Sequence, residues 1–319
     1  MKFRRLISDL STVDFVSIVF LSLLSFLNLI YHDRVTVWIQ LVIVNIAVVA
    51  AIMIIARTAE ARGTRLWIGI HRWYCYVLVL FVFKEIYLMV HPIHPTDYDQ
   101  YLIAADHWIF GVNPTQWLYR FANPILTEVL QTAYFSYYLI FLIVGVEIFR
   151  RFPIEEFDYA AFIIVYGFYL SYLGYFLFPA VGPRFTLHNF ATIDHELPGL
   201  FFTNIFRTII NAGESIPVGH PNPVEIVQRD AFPSGHTQLT LVCVYLAYRY
   251  KLKSRKTVAI LTTLLIVSTV YLRYHYVVDI FAGVIFFFIT IWTGTRLQSW
   301  WGETSQRFRA AKAPNHDEL

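Results

Sequence analysis

Long apolar runs alternate with short charged segments along most of this 319-residue chain. As an α-helix, a run of roughly 17–22 residues spans the ~30 Å hydrocarbon core of a bilayer. The pattern predicts eight membrane-spanning helices, at 13–31, 36–56, 72–90, 128–148, 158–178, 235–250, 257–273 and 276–294. Because lipid offers no partner to backbone polar groups, these spans are expected to be helical. The predicted fold class is all-α, as a polytopic membrane protein.

The composition supports this interpretation. Hydrophobic residues make up 57% of the chain and charged residues 15%, whereas a soluble domain has about 25% charged residues. The formal net charge of +3 is too small to indicate a nucleic acid partner. We therefore expect membrane lipids as the surroundings and no nucleic acid as a partner, and the oligomeric state stays open.

Basic residues concentrate in alternate connections between the predicted spans. They lie at the amino end, after the second, fourth and sixth spans, and in the carboxyl tail: Lys2, Arg4, Arg5, Arg57, Arg62, Arg65, Arg150, Arg151, Arg249, Lys251, Lys253, Arg255, Lys256, Arg296, Arg307, Arg309 and Lys312. Such clusters stay on the cytoplasmic side. Both termini are therefore predicted to be cytoplasmic, and the segments 179–234 and 273–275 face the extracytoplasmic or lumenal side.

Two segments on that outer side are too polar to span the membrane but carry many aromatic residues. Residues 98–122 fit an interfacial helix that is broken at Gly111 and Pro114, and residues 198–210 form a second candidate. We expect them to cover a lipid entrance. The alternative is that they are loops packed on the helix bundle.

Two histidines and a carboxylate border apolar runs on the predicted outer side. Pro-Ser-Gly-His occupies 233–236, His275 follows His236 by 39 positions, and Asp279 comes four positions later. A spacing of four puts His275 and Asp279 on one helix face. A carboxylate that accepts a hydrogen bond from one imidazole nitrogen fixes the tautomer and raises the basicity of the other nitrogen. The alternative is a polar pair that bridges two helices.

Phosphate-binding groups accompany these residues. Ser234 supplies a hydroxyl, Gly235 lets an anion approach the backbone, and the N–H groups at a helix start attract negative charge. Arg184, in the tripeptide Gly-Pro-Arg at 182–184, offers a planar guanidinium that matches a phosphate. The alternatives are a helix cap with an incidental histidine and an arginine that anchors the membrane interface.

These three pieces resemble the three motifs of the type-2 phosphatidic acid phosphatase superfamily. The segments Arg-Asp-Ala-Phe-Pro-Ser-Gly-His-Thr (229–237) and Tyr-Leu-Arg-Tyr-His-Tyr-Val-Val-Asp (271–279) are similar to one branch, the fungal inositol phosphorylceramide synthases, and more weakly to sphingomyelin synthases. The resemblance covers roughly residues 98–295. It implies a six-helix catalytic core preceded by two helices.

The resemblance also implies a division of the chain and a set of roles. The chain divides into N-terminal transmembrane helices (1–90), a catalytic domain (91–297) and a cytoplasmic tail (298–319). His275 is then the nucleophile that forms a phosphohistidine, Asp279 orients it, and His236 acts first as acid and then as base. The expected substrate is a phospholipid or sphingolipid, with no metal and no other cofactor.

The chain departs from the superfamily pattern at two positions. Leu177 and Thr269 stand where the motifs usually have a lysine and an arginine. Arg273, two positions before His275, is the expected substitute cation, provided that the turn between the spans is not helical. Arg229 is a further candidate for phosphate binding, and whether Arg229 or Lys84 replaces the lysine stays open.

These departures leave the reaction undecided. Hydrolysis of a lipid phosphate and transfer of a phosphoryl or head group to an acceptor alcohol require the same residues. A third hypothesis is a non-catalytic lipid-binding or transport protein that keeps the fold.

Overall fold

A computed structural model describes residues 9–217 and 219–310, and the regular secondary structure in this part of the chain is helical throughout. The α-helices are α1 (Thr12–Ile30), α2 (Trp38–Arg62), α3 (Arg65–Ile93), α4 (Asp99–Phe110), α5 (Pro114–Leu118), α6 (Pro124–Phe135), α7 (Tyr137–Arg151), α8 (Ile154–Leu177), α9 (Pro183–Thr186), α10 (Ile193–Glu196), α11 (Thr203–Gly213), α12 (Pro223–Ile226), α13 (Gly235–Arg249), α14 (Arg255–Tyr271) and α15 (Val277–Ala310). The all-helical fold class is confirmed for these residues.

Local sequence signals set several helix ends. Ser11 accepts a hydrogen bond from the Asp14 backbone N–H, and the Asp14 carboxylate accepts one from the Ser11 N–H, so a capping box starts α1. Gly63 caps the carboxyl end of α2, and its φ of 59° lies in the left-handed region that glycine adopts without strain.

Five helices of the described chain are long and apolar enough to cross a membrane: α1, α2, α3, α8 and residues Val277–Ser305 of α15. The pair α6 and α7 adds a sixth span if it crosses as one unit, although it bends by 46° between Phe135 and Tyr137. The predicted count of eight spans is not confirmed. The helices α13 and α14 have 15 and 17 residues, and at about 1.5 Å per residue they are shorter than the ~30 Å core.

The chain divides into two compact units. Unit 1 comprises Met1–Met89, Phe152–Tyr169 and Ile289–Leu319, and unit 2 comprises Val90–Arg151 and Leu170–Phe288. In unit 1 the helices α1 and α2 pack against each other. In unit 2 the helix α6 packs against α11 and α14, and α13 packs against α7 and α14. Unit 2 contains all three motifs.

The segment 98–122, which was predicted to lie at the membrane interface, is largely helical, and its helices break at the expected glycine and proline. The helix α4 is followed by Gly111 with φ of 70°, and α5 begins at Pro114. Aromatic side chains of this segment are exposed, among them Trp108 at 86%. The second segment becomes helical at Thr203, five residues later than predicted, and Phe201 before it is also exposed.

The predicted tail does not begin at a helix end. The helix α15 continues without a break from Val277 to Ala310, past the predicted boundary at residue 298. Residues 311–319 of the tail lie outside the described residues.

Candidate active site

Two histidine rings face each other at the centre of the three motifs. His236 is the second residue of α13, and His275 lies in the non-helical segment between α14 and α15. His236 Nδ1 is 3.1 Å from His275 Nε2. Positions 39 apart in the chain are thus brought within hydrogen-bonding distance.

The partners of His275 define its tautomer. His275 Nδ1 lies 2.8 Å from the backbone oxygen of Ala231 and 3.3 Å from Asp279 Oδ2. The Ala231 carbonyl oxygen can only accept a hydrogen bond, so Nδ1 carries the proton. The lone pair is therefore on Nε2, the atom that faces His236. This is the contact between His275 and Asp279 that their spacing predicts.

Asp279 joins the third motif to the second. Its Oδ2 accepts a 2.8 Å hydrogen bond from the Tyr276 N–H, and its backbone oxygen accepts one of 3.1 Å from the Ser234 N–H. A Cβ on Gly283, one turn later, would lie 2.6 Å from the Ser234 oxygen, so this close approach requires glycine. Among the described residues, the buried Oδ1 of Asp279 has no hydrogen-bond partner.

Ser234 and Gly235 form the start of α13. Ser234 is the N-cap, and its hydroxyl accepts a 3.2 Å hydrogen bond from the Thr237 N–H. The first N–H groups of a helix have no acceptor within the helix and attract anions. A Cβ on Gly235 would lie 2.5 Å from the Tyr175 hydroxyl. Both residues are buried at the same end of the helix as His236.

Arg184 is the cation that acts on the two histidines. It lies in α9, is 5% exposed, and its guanidinium carbon is 4.5 Å from the Tyr274 ring centroid. Burial lowers the pKa of His275 to about 4, and the charge of Arg184 acts in the same direction, whereas Asp230 opposes it. Neutral His275 is therefore the form that the folded protein favours near pH 7.

Two polar side chains from the end of α11 and just after it hold the guanidinium of Arg184. It forms an ion pair with Glu214, and its Nη1 donates a 3.3 Å hydrogen bond to Asn211 Oδ1. Its backbone N–H donates to the Arg273 oxygen at 3.0 Å, which links the first and third motifs. Neither Glu214 nor Asn211 was predicted from the sequence, because nothing in the pattern near 211–214 distinguishes them.

The other two predicted cations have different partners. Arg273 lies in a non-helical turn with φ of 69°, and its Nη1 donates a 2.5 Å hydrogen bond to Glu196. Within the described chain, its buried Nε and Nη2 have no acceptor. Arg229 donates to the Val227 oxygen at 2.7 Å and pairs with Asp97 at 3.3 Å. None of these partners is one of the two histidines.

A pair of aspartates in α4, missed in the sequence, holds the motif loops. Asp99 accepts hydrogen bonds from the Gly182 N–H at 2.9 Å and the Tyr276 hydroxyl at 2.8 Å. Asp106 accepts from the Val277 and Val278 N–H groups at 2.9 Å each, which caps α15. Their spacing of seven puts both on one face of α4. That spacing is the signal that could have found them.

Two tyrosine rings fix the ring of His236. Its centroid lies 4.8 Å from the Tyr134 ring and 4.4 Å from the Tyr137 ring. Tyr134 also stacks on Tyr274 at 4.2 Å. Arg184 lies over the Tyr274 ring. The two stacked tyrosines therefore connect the Arg184 cation to His236.

The sequence profile of the PAP2 superfamily matches residues 100–293, which is more than half of the chain. Comparisons with curated proteins and with solved structures give no match. The matched range contains His236, His275, Asp279 and Arg184, which the structure brings into one site. The chain belongs to the PAP2 superfamily.

Proposed function

We propose that this protein is a membrane enzyme that cleaves a lipid phosphate or phosphodiester through a phosphohistidine on His275. The observation that carries the proposal is the 3.1 Å contact between His236 Nδ1 and His275 Nε2. It puts a nucleophilic lone pair next to a ring that can act as a proton donor. PAP2 membership supports a phosphatase or phosphotransferase reaction.

The first step forms the phosphoenzyme. His275 Nε2 attacks phosphorus, the bond from phosphorus to the leaving oxygen breaks, and His236, acting in its imidazolium form, gives a proton to that oxygen and becomes neutral. Asp279 and the Ala231 carbonyl hold the Nδ1 proton and so stabilise the positive charge that develops on the ring. The substrate must first displace the hydrogen bond between the two histidines.

The second step regenerates the enzyme. His236 removes a proton from water or from an alcohol, whose oxygen attacks phosphorus. The nitrogen–phosphorus bond breaks, and the electron pair returns to His275 Nε2. The product is inorganic phosphate or a released phosphoester after attack by water, and a new phosphoester after attack by an alcohol.

Arg184, Ser234 and Gly235 are the proposed phosphate ligands. The charge of Arg184 acts on both histidines, and the first turn of α13, which contains His236, supplies free N–H groups. The charge on the equatorial oxygens grows in the transition state, so these donors lower the barrier. Arg273 and Arg229 remain secondary candidates, because Arg184 is the arginine whose charge acts on both histidines.

A lipid substrate suits the surroundings of the site. The chain has several helices that are long and apolar enough to cross a membrane. The exposed aromatic residues of 98–122 and 200–202 are of the kind that lies at a membrane interface. The distribution of basic residues favours an outward-facing site with both termini in the cytoplasm. A cysteine that replaces Asn189 should therefore react with an impermeant reagent from outside. Labelling that occurs only after permeabilisation would indicate the opposite orientation.

The acceptor decides between hydrolase and transferase. The resemblance of 229–237 and 271–279 to inositol phosphorylceramide synthases favours transfer of an inositol phosphate head group to a lipid alcohol. The residues of the two steps are the same in either case. The test must therefore vary the acceptor.

The decisive assay uses the purified protein in nanodiscs with a panel of lipid phosphates and phosphodiesters, with and without ceramide or diacylglycerol. We expect turnover without added metal, and transferred product where an acceptor is present. His275→Ala should abolish turnover and keep the folded state. If the wild-type protein binds these lipids without any turnover, the non-catalytic hypothesis replaces this proposal.

A further inference from the structure

Three polar side chains meet among the membrane-spanning helices of unit 1. They are Asn28 of α1, Asn45 of α2 and Glu85 of α3, which are 0%, 1% and 2% exposed. Asn45 Nδ2 donates to Glu85 Oε1 at 2.7 Å, and Asn28 Nδ2 lies 3.4 Å from the same oxygen. A carboxylate in the apolar part of a membrane protein is costly and marks a functional site.

The cluster has more acceptors than donors. Both amide nitrogens point to one carboxylate oxygen, and Asn28 Nδ2 also donates to the Leu24 oxygen at 3.0 Å. Three buried oxygens then have no hydrogen-bond partner among the described residues: Glu85 Oε2, Asn28 Oδ1 and Asn45 Oδ1. Each amide oxygen shares a carbon with a nitrogen that faces Glu85, so the three oxygens belong to one polar cluster.

We propose that this cluster binds a small monovalent cation such as Na⁺. A proton on Glu85 Oε2 would donate to one amide oxygen only, and a single water molecule would donate two hydrogens to three acceptors. A cation attracts all three oxygens at once and neutralises the carboxylate. Carboxylate and carbonyl oxygens are the hard ligands that such ions prefer.

The charge balance favours a monovalent ion. The cluster holds one carboxylate, so a divalent ion would leave a net positive charge between apolar helices. The neighbouring Lys84 points about 100° away from Glu85 around the helix axis, and its ammonium lies 6.0 Å from the Tyr87 ring centroid. The proposal is independent of the reaction at His275, because every residue in it belongs to unit 1.

The test measures binding of ²²Na⁺ to the purified protein, with unlabelled Na⁺ as competitor and N-methylglucamine as the inert cation. We expect saturable binding that only unlabelled Na⁺ displaces. Glu85→Gln should weaken the affinity at least about tenfold, because it removes the ligand charge. Glu60→Gln, which changes an exposed carboxylate on α2, is the matched control and should bind as wild type.

Thermal unfolding gives a second readout. Na⁺ should raise the Tm of the wild-type protein above its value in N-methylglucamine at equal ionic strength, because it binds only the folded state. Asn45→Ala keeps the carboxylate and should reduce both the Tm shift and the Na⁺ binding. This variant replaces Glu85→Gln in the test if Glu85→Gln does not fold. Absence of ²²Na⁺ binding by the wild type, or unchanged binding in both variants, would overturn the proposal in favour of a protonated or hydrated cluster.

Discussion

Asp99 Oδ1 accepts the hydrogen bond of the Tyr276 hydroxyl at 2.8 Å, and the same oxygen accepts the Gly182 N–H at 2.9 Å. Tyr276 follows His275, and Gly182 precedes Arg184 by two residues. One carboxylate of α4 therefore connects the loop of the proposed nucleophile with the loop of the proposed phosphate ligand.

Asp99→Asn should lower kcat more than it changes KM, because it disturbs the relative position of two loops without touching the substrate. Hydrogen bonds to a charged group contribute about 1.5–3 kcal/mol each, so a loss of roughly 10- to 100-fold is expected. Tyr276→Phe deletes one of these bonds and should have the smaller effect. Steady-state kinetics on variants with a folded circular dichroism spectrum provide the measurement, with Glu155→Gln as an exposed control. A wild-type kcat in Asp99→Asn would show that the carboxylate is not needed for positioning.

The two buried arginines should differ in their response to lysine. Arg184→Lys replaces a planar donor pair by a point charge and should cost about 2–4 kcal/mol, or roughly 30- to 1000-fold in kcat/KM. Arg273→Lys should cost less, because the charge of Arg184 is the one that acts on both histidines, whereas Arg273 Nη1 donates to Glu196. Equal losses in the two variants would instead establish Arg273 as a phosphate ligand, as the sequence predicts.

Gly235→Ala separates packing from phosphate binding. The new Cβ would lie 2.5 Å from the Tyr175 hydroxyl, so the variant should lose both stability and activity. Adding Tyr175→Phe removes that oxygen and should restore the Tm. If the backbone at Gly235 also contacts phosphate, the double variant should remain inactive, with activity and Tm measured on the same preparation. Full recovery of activity would limit the role of Gly235 to packing.

The pH dependence of phosphoenzyme formation should report on His275. Burial and the Arg184 charge lower its pKa from 6.5 to about 4, so the nucleophile stays neutral well below pH 6. An aryl phosphate has a leaving group that needs no acid. With this substrate the single-turnover rate should stay constant between pH 7 and 5 and decrease as the pH approaches 4. The rate is corrected for the ionisation of the substrate. A fall centred near pH 6.5 would mean that His275 has an ordinary pKa.

The same shift affects stability. Between about pH 6.5 and 4 the unfolded chain binds a proton at His275 that the folded protein does not. The free energy of unfolding should therefore decrease as the pH is lowered through this window.

The chemistry at the motif residues was predictable, and the geometry around them only in part. The spacing of His275 and Asp279 and the apolar run after Ser234 are local signals, and the structure shows the expected contact and cap. The predicted segments 235–250 and 257–273 nearly coincide with α13 and α14, but helices of 15 and 17 residues are shorter than the hydrocarbon core of a bilayer, so an apolar sequence alone did not establish a full crossing. The helix break near Ser136 has no proline or glycine to indicate it.

The partners of the arginines depend on contacts between residues far apart in the chain. Arg273 was expected beside His275, but the left-handed backbone at Arg273 accompanies a side chain that pairs with Glu196, 77 positions away. Arg184 pairs with Glu214 in the segment after α11. Periodicity and spacing carry no information on such pairings, since they arise only when the helices pack.

The most direct test of the proposed reaction is to identify the residue that carries the phosphoryl group. The purified protein is quenched in alkali during turnover of a ³²P-labelled lipid phosphate, digested and sequenced by mass spectrometry. We predict an alkali-stable, acid-labile phosphate on His275, which increases in His236→Ala with a substrate that has a good leaving group and is absent in His275→Ala. Turnover without a phosphoenzyme, or a phosphate on another residue that persists in active His275→Ala, would contradict the proposed mechanism.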